Sequence, residues 1–139
     1  MSTGSNLDRL KATYKAWHDT KGGSVDLWLD LMTDDVDILN IREESEGLAF
    51  AKDRKSKAEA HEYFASILEI GTMVHWTPET FVTEGDTIAM FGTCAWKIKK
   101  TGKIAEGRIA HLCRFRDGKL AAFTEVFDTA RVVAASLPD

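Results

Sequence analysis

Apolar residues recur at three- and four-residue steps over the first seventy positions and then switch to alternation. Leu7, Leu10, Tyr14 and Trp17 lie on one face of a helix. Ser5 or Asn6 can cap its start, and Lys21-Gly22-Gly23 stops it. Ser24 opens a second, short helix through Leu27, Trp28, Leu31 and Met32. It is apolar almost all round and so expected to be largely buried, with Asp34-Asp35 ending it. Val36 to Arg42 reads as a strand with Val36, Ile38 and Asn40 on one face. Glu43 to Lys55 is charged and irregular, which suits a loop near the mouth of whatever the sheet encloses. Ser56-Lys57-Ala58-Glu59 has capping-box spacing, and the helix behind it carries the stripe Ala60, Phe64, Ile67 and Leu68 up to Gly71.

From Met73 the pattern predicts four strands: Met73–Thr83, Thr87–Lys99, Ile104–Phe115 and Leu120–Phe127. Glu84-Gly85-Asp86, Thr101-Gly102 and Asp117-Gly118 punctuate them. Pro78 cannot donate to a ladder and marks a bulge or an edge. Asp128 can cap a last short helix, Thr129–Ser136. Helices first and a run of antiparallel strands afterwards predict an α+β fold. A sheet of this length curls, with the three N-terminal helices packed on its concave side. The whole of residues 1–139 reads as a single domain.

Composition removes several function classes. Lys and Arg number 18 against 22 Asp and Glu, a net charge of −4, so no basic face for nucleic acid is expected. No apolar run approaches the roughly 20 residues that span a bilayer, so no membrane partner is expected. Met1 to Asn6 has neither the basic flank nor the apolar core of a leader. The only cysteines, Cys94 and Cys113, and the four histidines show no CxxC or HExxH spacing. We expect buried thiols in a reducing cytoplasm, no metal and no cofactor. Four Trp and seven Phe against two Tyr is a heavy aromatic load for 139 residues, and it asks where those rings go.

Turn chemistry allows a register. A two-residue turn at Thr101-Gly102 pairs Lys99 with Ile104 and sets Gly92 opposite His111, Cys94 opposite Ile109 and Met90 opposite Cys113. A three-residue turn at Arg116-Asp117-Gly118 pairs Phe115 with Lys119, His111 with Phe123 and Ile109 with Glu125. One face then carries Gly92, Cys94, Trp96, His111, Phe115, Phe123, Glu125 and Phe127, nearly all apolar. The other mixes Phe91 against Leu112 with Lys97 against Glu106. The two ionisable groups on the apolar face, His111 and Glu125, become diagonal neighbours roughly 7–8 Å apart at Cα. Gly92 opposite His111 leaves room beside the imidazole. A buried carboxylate costs several kcal/mol or takes up a proton, so its presence needs a reason.

The arrangement resembles a known family. Two helices, a strand after Asp34-Asp35, a third helix and a long antiparallel sheet look like the cone of the NTF2-like superfamily. Arg114-Phe115-Arg116-Asp117-Gly118-Lys119-Leu120 followed by Glu125-Val126-Phe127-Asp128-Thr129-Ala130 is similar to the closing hairpin of SnoaL-like proteins, named for a polyketide cyclase. The resemblance covers roughly residues 6 to 136. In such cyclases a last-strand carboxylate acts as acid/base with a His on the preceding strand, and Glu125 and His111 fall at those places. In ketosteroid isomerases the proton-shuttling Asp falls at Asn40, which cannot shuttle a proton. The central Arg and Asp of limonene epoxide hydrolases fall at Gly92 and Cys94. The resemblance therefore implies neither steroid isomerisation by that route nor epoxide hydrolysis.

Residues and resemblance together lead to three expectations. One is a cofactor-free acid/base enzyme acting on a small, mostly apolar carbonyl compound of the polyketide kind. Burial would raise Glu125 toward neutrality as the base, and His111 and Asn40 would donate to the developing oxygen. Trp17, Phe64, Gly92, Cys94, Trp96 and Phe123 would line the site. The second is a binding protein using the same pocket without chemistry. The third is a dimeric module with a filled cone. A homodimer through the outer sheet face suits all three, and is usual in the superfamily.

Overall fold

The computed structural model describes residues 5–40 and 52–139. Among these, four helices and six strands follow the order α1 (Asn6–Asp19), α2 (Val25–Leu31), β1 (Met32–Asn40), β2 (Arg54–Lys55), α3 (Lys57–Ile70), β3 (Gly71–Glu84), β4 (Thr87–Ile98), β5 (Ile104–Arg116), β6 (Lys119–Phe127) and α4 (Thr129–Ser136). The architecture is α+β, a curved sheet of the NTF2-like cone type with strand order β2-β1-β6-β5-β4-β3. Only the β1–β6 pairing is parallel; the others among the described strands are antiparallel.

The local signals behave as the residues dictate. Ser5 caps α1 in a full capping box with Asp8. Ser56 caps α3 through the Glu59 N–H, but Glu59 reaches the Lys55 N–H one residue further back, because the Ser56 N–H is already paired with the Val36 carbonyl. The second helix is shorter than its apolar run: Met32 is extended and pairs with Leu120, so β1 begins there and Asp34-Asp35 lies inside it. Trp28 and Leu31 of α2 are buried, while Leu27 stays 47% exposed. Most of the Glu43–Lys55 segment, expected as a loop, lies outside the described residues; its end, Arg54–Lys55, forms β2. Pro78 sits on edge strand β3 and pairs with Gly92 immediately before a register shift.

Two hairpins differ from expectation, and in each the register of the paired strands ends up shifted by two. Lys99 gives its N–H to the Ile70 carbonyl at the end of α3, so it cannot pair with Ile104, and Lys97 pairs there instead. Met90 therefore faces His111, Gly92 faces Ile109, Cys94 faces Gly107 and Ile88 faces Cys113. On the outer face Glu106 lies against Ala95 and Leu112 against Ala89. At the last hairpin Asp117 and Gly118 both have positive φ, 52° and 81°, which makes a two-residue turn with Arg116 paired to Lys119. Alone, that turn would put His111 opposite Thr124. A bulge follows: Phe115 pairs with Leu120 but Arg114 with Ala122, leaving Ala121 extra. His111 then faces Glu125 directly. A shift of two keeps every side chain on its face, so the expected faces hold while the partners change.

One core fills the concave side, with Leu10, Tyr14, Trp17, Trp28, Phe64, Met90, Phe115 and Phe123 among its buried members. The outer face leaves Phe91 (51%), Val82, Leu112 and Val126 exposed. No described helix is long and apolar enough to cross a membrane.

Candidate active site

A cavity of about 100 Å³ lies between the helices and the concave face, lined by Trp17, Trp28, Tyr63, Phe64, Trp76, Cys94, Trp96, His111, Phe123 and Glu125 among others. By the usual allowance of about 10–15 Å³ per water, it holds several waters or a small organic molecule. Exposed Glu106, Asp128 and Arg131 also line it, so it opens between β5 and α4.

His111 and Glu125 are 4% and 6% exposed. Their placement on facing strands brings His111 Nε2 to 2.8 Å from Glu125 Oε2. Each has a second partner from a helix. Tyr14 Oη on α1 lies 2.6 Å from His111 Nδ1, and Tyr63 on α3 donates its hydroxyl to Glu125 Oε1. The four side chains form one chain, Tyr14–His111–Glu125–Tyr63. Burial raises both phenols well above their usual range, and at Tyr63 the Glu125 charge adds to it, so both keep their protons and serve as donors. Glu125 takes part in one hydrogen bond at each oxygen, and a carboxylate so placed has lone pairs left for a third group.

Rings hold the imidazole in place. Trp76 stacks on it at 5.4 Å between centroids, Tyr14 at 5.7 Å, and Phe123 leans against it at 4.3 Å. Trp76 rather than His75 faces the cavity. His75 turns to the other side, 3.0 Å from both Glu106 Oε2 and Thr77 Oγ1. Burial pushes the Cys94 and Cys113 thiols up to about 12, so neither is a nucleophile at neutral pH. Among the described residues no three His, Cys, Asp or Glu side chains gather where they could hold a metal ion.

Of the residues expected from sequence, Glu125, His111, Trp17, Phe64, Cys94, Trp96 and Phe123 all line the cavity. Two do not. Gly92 makes no room beside the imidazole: a Cβ there would lie 2.2 Å from the Thr77 carbonyl oxygen, so its missing side chain admits the backbone of β3. Asn40 pairs in register with Glu125, but its side-chain N–H goes to the Lys52 carbonyl at 2.8 Å and its backbone N–H to Asp53 Oδ1 at 3.0 Å. One of its two amide N–H groups is used there, and Asn40 is not among the residues that line the cavity.

Tyr14 and Tyr63 were missed as site residues. Tyr14 lies within the α1 stripe, where it reads as core. Tyr63 completes a helical i, i+3, i+4, i+7 set with Ala60, Phe64 and Ile67, so the period could have placed it inward. The usable signal was chemical: a buried phenol needs a partner for its hydroxyl.

Residues 10–123 match the SnoaL-like domain family model. No curated protein matches the chain. Solved structures share its fold. An NTF2-like protein of unknown function from Burkholderia pseudomallei K96243 superposes with a TM-score of 0.81 at 20% identity, covering 96% of this chain and 98% of that one. A candidate SnoaL-like polyketide cyclase from Jannaschia sp. CCS1 gives 0.78 at 15% identity, with both chains covered completely. A hypothetical protein of ketosteroid isomerase-like fold from Catenulispora acidiphila DSM 44928, in complex with trimethylamine, gives 0.76 at 15% identity, covering 97% and 96%.

Proposed function

This chain belongs to the SnoaL-like family, and from that premise we propose that residues 1–139 form one domain acting as a cofactor-free acid/base catalyst on a small, mostly apolar carbonyl compound of the polyketide kind. The observation that carries the reading is a carboxylate inside an aromatic-walled cavity, held by Tyr63 and His111 with acceptor capacity to spare. Glu125 takes a proton from the carbon next to the carbonyl. The C–H electron pair moves into the enolate, and negative charge develops on oxygen. Asn40 lies outside the cavity lining and is not a donor to that oxygen. Once Glu125 is neutralised, the Tyr63 hydroxyl and the His111 Nε2–H beside it turn from the carboxyl to the developing oxygen. The surrounding rings exclude water and strengthen each polar contact.

The test is Glu125→Gln assayed on enolisable ketones and cyclisable polyketide fragments. Loss of a general base should cost about 10²–10⁴ in rate; an unchanged rate defeats the reading.

The second reading, a ligand-binding module without chemistry, draws support from the completeness of the four-residue chain, in which each hydroxyl and ring nitrogen already has a partner before a ligand arrives. Native mass spectrometry that recovers an added ketone bound but unchanged favours it. In either case we propose a homodimer through the outer sheet face, supported by exposed Phe91, Leu112 and Val126. Light scattering giving a monomer at micromolar concentration would refute that. Two free, buried thiols support a reducing, cytoplasmic setting.

A further inference from the structure

We propose that Tyr14 is a positioning residue: its hydroxyl fixes the tautomer of His111 and thereby keeps Glu125 a base rather than an acid. The inference rests on the proposed role of Glu125 in the same cavity.

Two neutral arrangements of the imidazole satisfy the local hydrogen bonds. In the first, Tyr14 donates to Nδ1, the ring proton sits on Nε2, and Nε2–H donates to Glu125 Oε2 across 2.8 Å. Glu125 is then an acceptor on both oxygens, with Tyr63 donating to the other. In the second, Nδ1 carries the proton and donates to the Tyr14 oxygen, while Tyr14 turns its hydroxyl to the neighbouring Cys113 thiol. Nε2 is then bare and faces Glu125 at the same 2.8 Å. Two acceptors at that distance repel unless the carboxyl carries a proton. A protonated Glu125 cannot take one from substrate.

The tautomer is therefore the difference between a working and a blocked base, and the Tyr14 hydroxyl, by its choice of His111 or Cys113, is the group that sets it. Geometry favours the first arrangement. At 2.6 Å the Tyr14–His111 contact is as short as O–H donors make, and an O–H to nitrogen bond outweighs one to a thiol, which is a weak acceptor. Tyr14 is held for the purpose: it is buried, it stacks on His111, and Trp28 meets its ring edge-on at 5.0 Å. The stacked Trp76 and the leaning Phe123 hinder the imidazole from turning over, so the proton rather than the ring must choose.

The experiment is ¹⁵N-histidine NMR on the whole protein without substrate, beside kinetics of Tyr14→Phe. In the wild type we expect His111 to show a protonated-type Nε2 and an unprotonated-type Nδ1. In Tyr14→Phe we expect a mixture of tautomers or the reverse one, and a fall in kcat of about ten- to a hundredfold with KM nearly unchanged, less than the loss of the base itself. A wild-type Nδ1 that carries the proton overturns the proposal, as does a Tyr14→Phe tautomer identical to the wild type. If Tyr14→Phe does not fold, the wild-type spectrum alone decides. The NMR result needs no turnover, so it stands apart from the catalytic reading. The expected tautomers in a protein inactive on every ketone would sink the catalysis and leave the tautomer assignment standing.

Discussion

Replacing Tyr63 by Phe removes one hydroxyl and little else, and the structure sets what that should cost. The hydroxyl donates to a buried carboxylate oxygen, and among the described residues no other hydrogen bond reaches Oε1. Hydrogen bonds to charged groups contribute about 1.5–3 kcal/mol, against about 0.5–1.5 kcal/mol for neutral pairs. Tyr14→Phe removes a bond to an imidazole, a neutral pair in the arrangement proposed above. Tyr63→Phe should therefore cost about 2 kcal/mol and Tyr14→Phe about 1 kcal/mol. Urea unfolding at pH 7 measures both. With a slope of about 2 kcal/mol per molar, the midpoint should fall by about 1 M for Tyr63→Phe and about 0.5 M for Tyr14→Phe. The double variant should cost less than the sum, because the two bonds polarise each other through His111 and Glu125. Midpoints within about 0.2 M of wild type for both variants, or a larger loss for Tyr14→Phe, would refute the charge-assisted chain.

Three further outcomes follow from other features. Cys94 and Cys113 have thiols raised from 9.0 to about 12 in the folded protein; their neutral form is favoured there, so stability is full below pH 9 and is lost as pH rises toward 12. Each thiol should remove about 1.4 kcal/mol by pH 10, and equal urea midpoints at pH 8 and pH 10 would contradict this. Gly92→Ala places a methyl 2.2 Å from the Thr77 carbonyl oxygen and 2.9 Å from Pro78 Cα, so β3 must shift, with a loss of about 1–3 kcal/mol visible as a lower melting temperature. Deleting Ala121 removes the one residue of β6 left extra between the Leu120–Phe115 and Ala122–Arg114 pairs, so the ladder becomes regular while Phe123 and Glu125 keep their partners and their inner face. Cooperative unfolding should be kept, whereas a sharp rise in binding of a hydrophobic dye with loss of cooperative unfolding would show that Ala121 is not the extra residue of the ladder.

The faces of the sheet were legible because alternation has a period of two, so errors of two residues at Thr101-Gly102 and Arg116-Asp117-Gly118 cancelled. The partners within a face were not legible, because they depend on contacts outside the hairpin. Lys99 is taken by the end of α3, and Ala121 is squeezed out only after the strand has turned. His111 and Glu125 were visible as the polar pair on an apolar face. Tyr63 was not, because its role lies in a hydroxyl that crosses from a helix to a strand 62 residues away. Gly92 was placed on the right face for the wrong reason: sequence shows a missing side chain but not whether a ligand or a neighbouring backbone fills the space. Asn40 likewise sits beside Glu125 in register, yet its amide is claimed by Lys52.

Tyr14, Tyr63, His111 and Glu125 come from α1, α3, β5 and β6 and are joined across 97, 14 and 62 positions of chain. No fragment of the chain contains a working subset. A nascent chain has Tyr14, Tyr63 and His111 before it has Glu125, and a partly unfolded one has the carboxylate without the helix-borne hydroxyl that orients it. The competence of the site and the completion of the fold are thus a single event, reached only when the sixth strand has docked. For the carbonyl chemistry proposed for this cavity, that coupling means an immature chain holds nothing with which to misprocess a substrate.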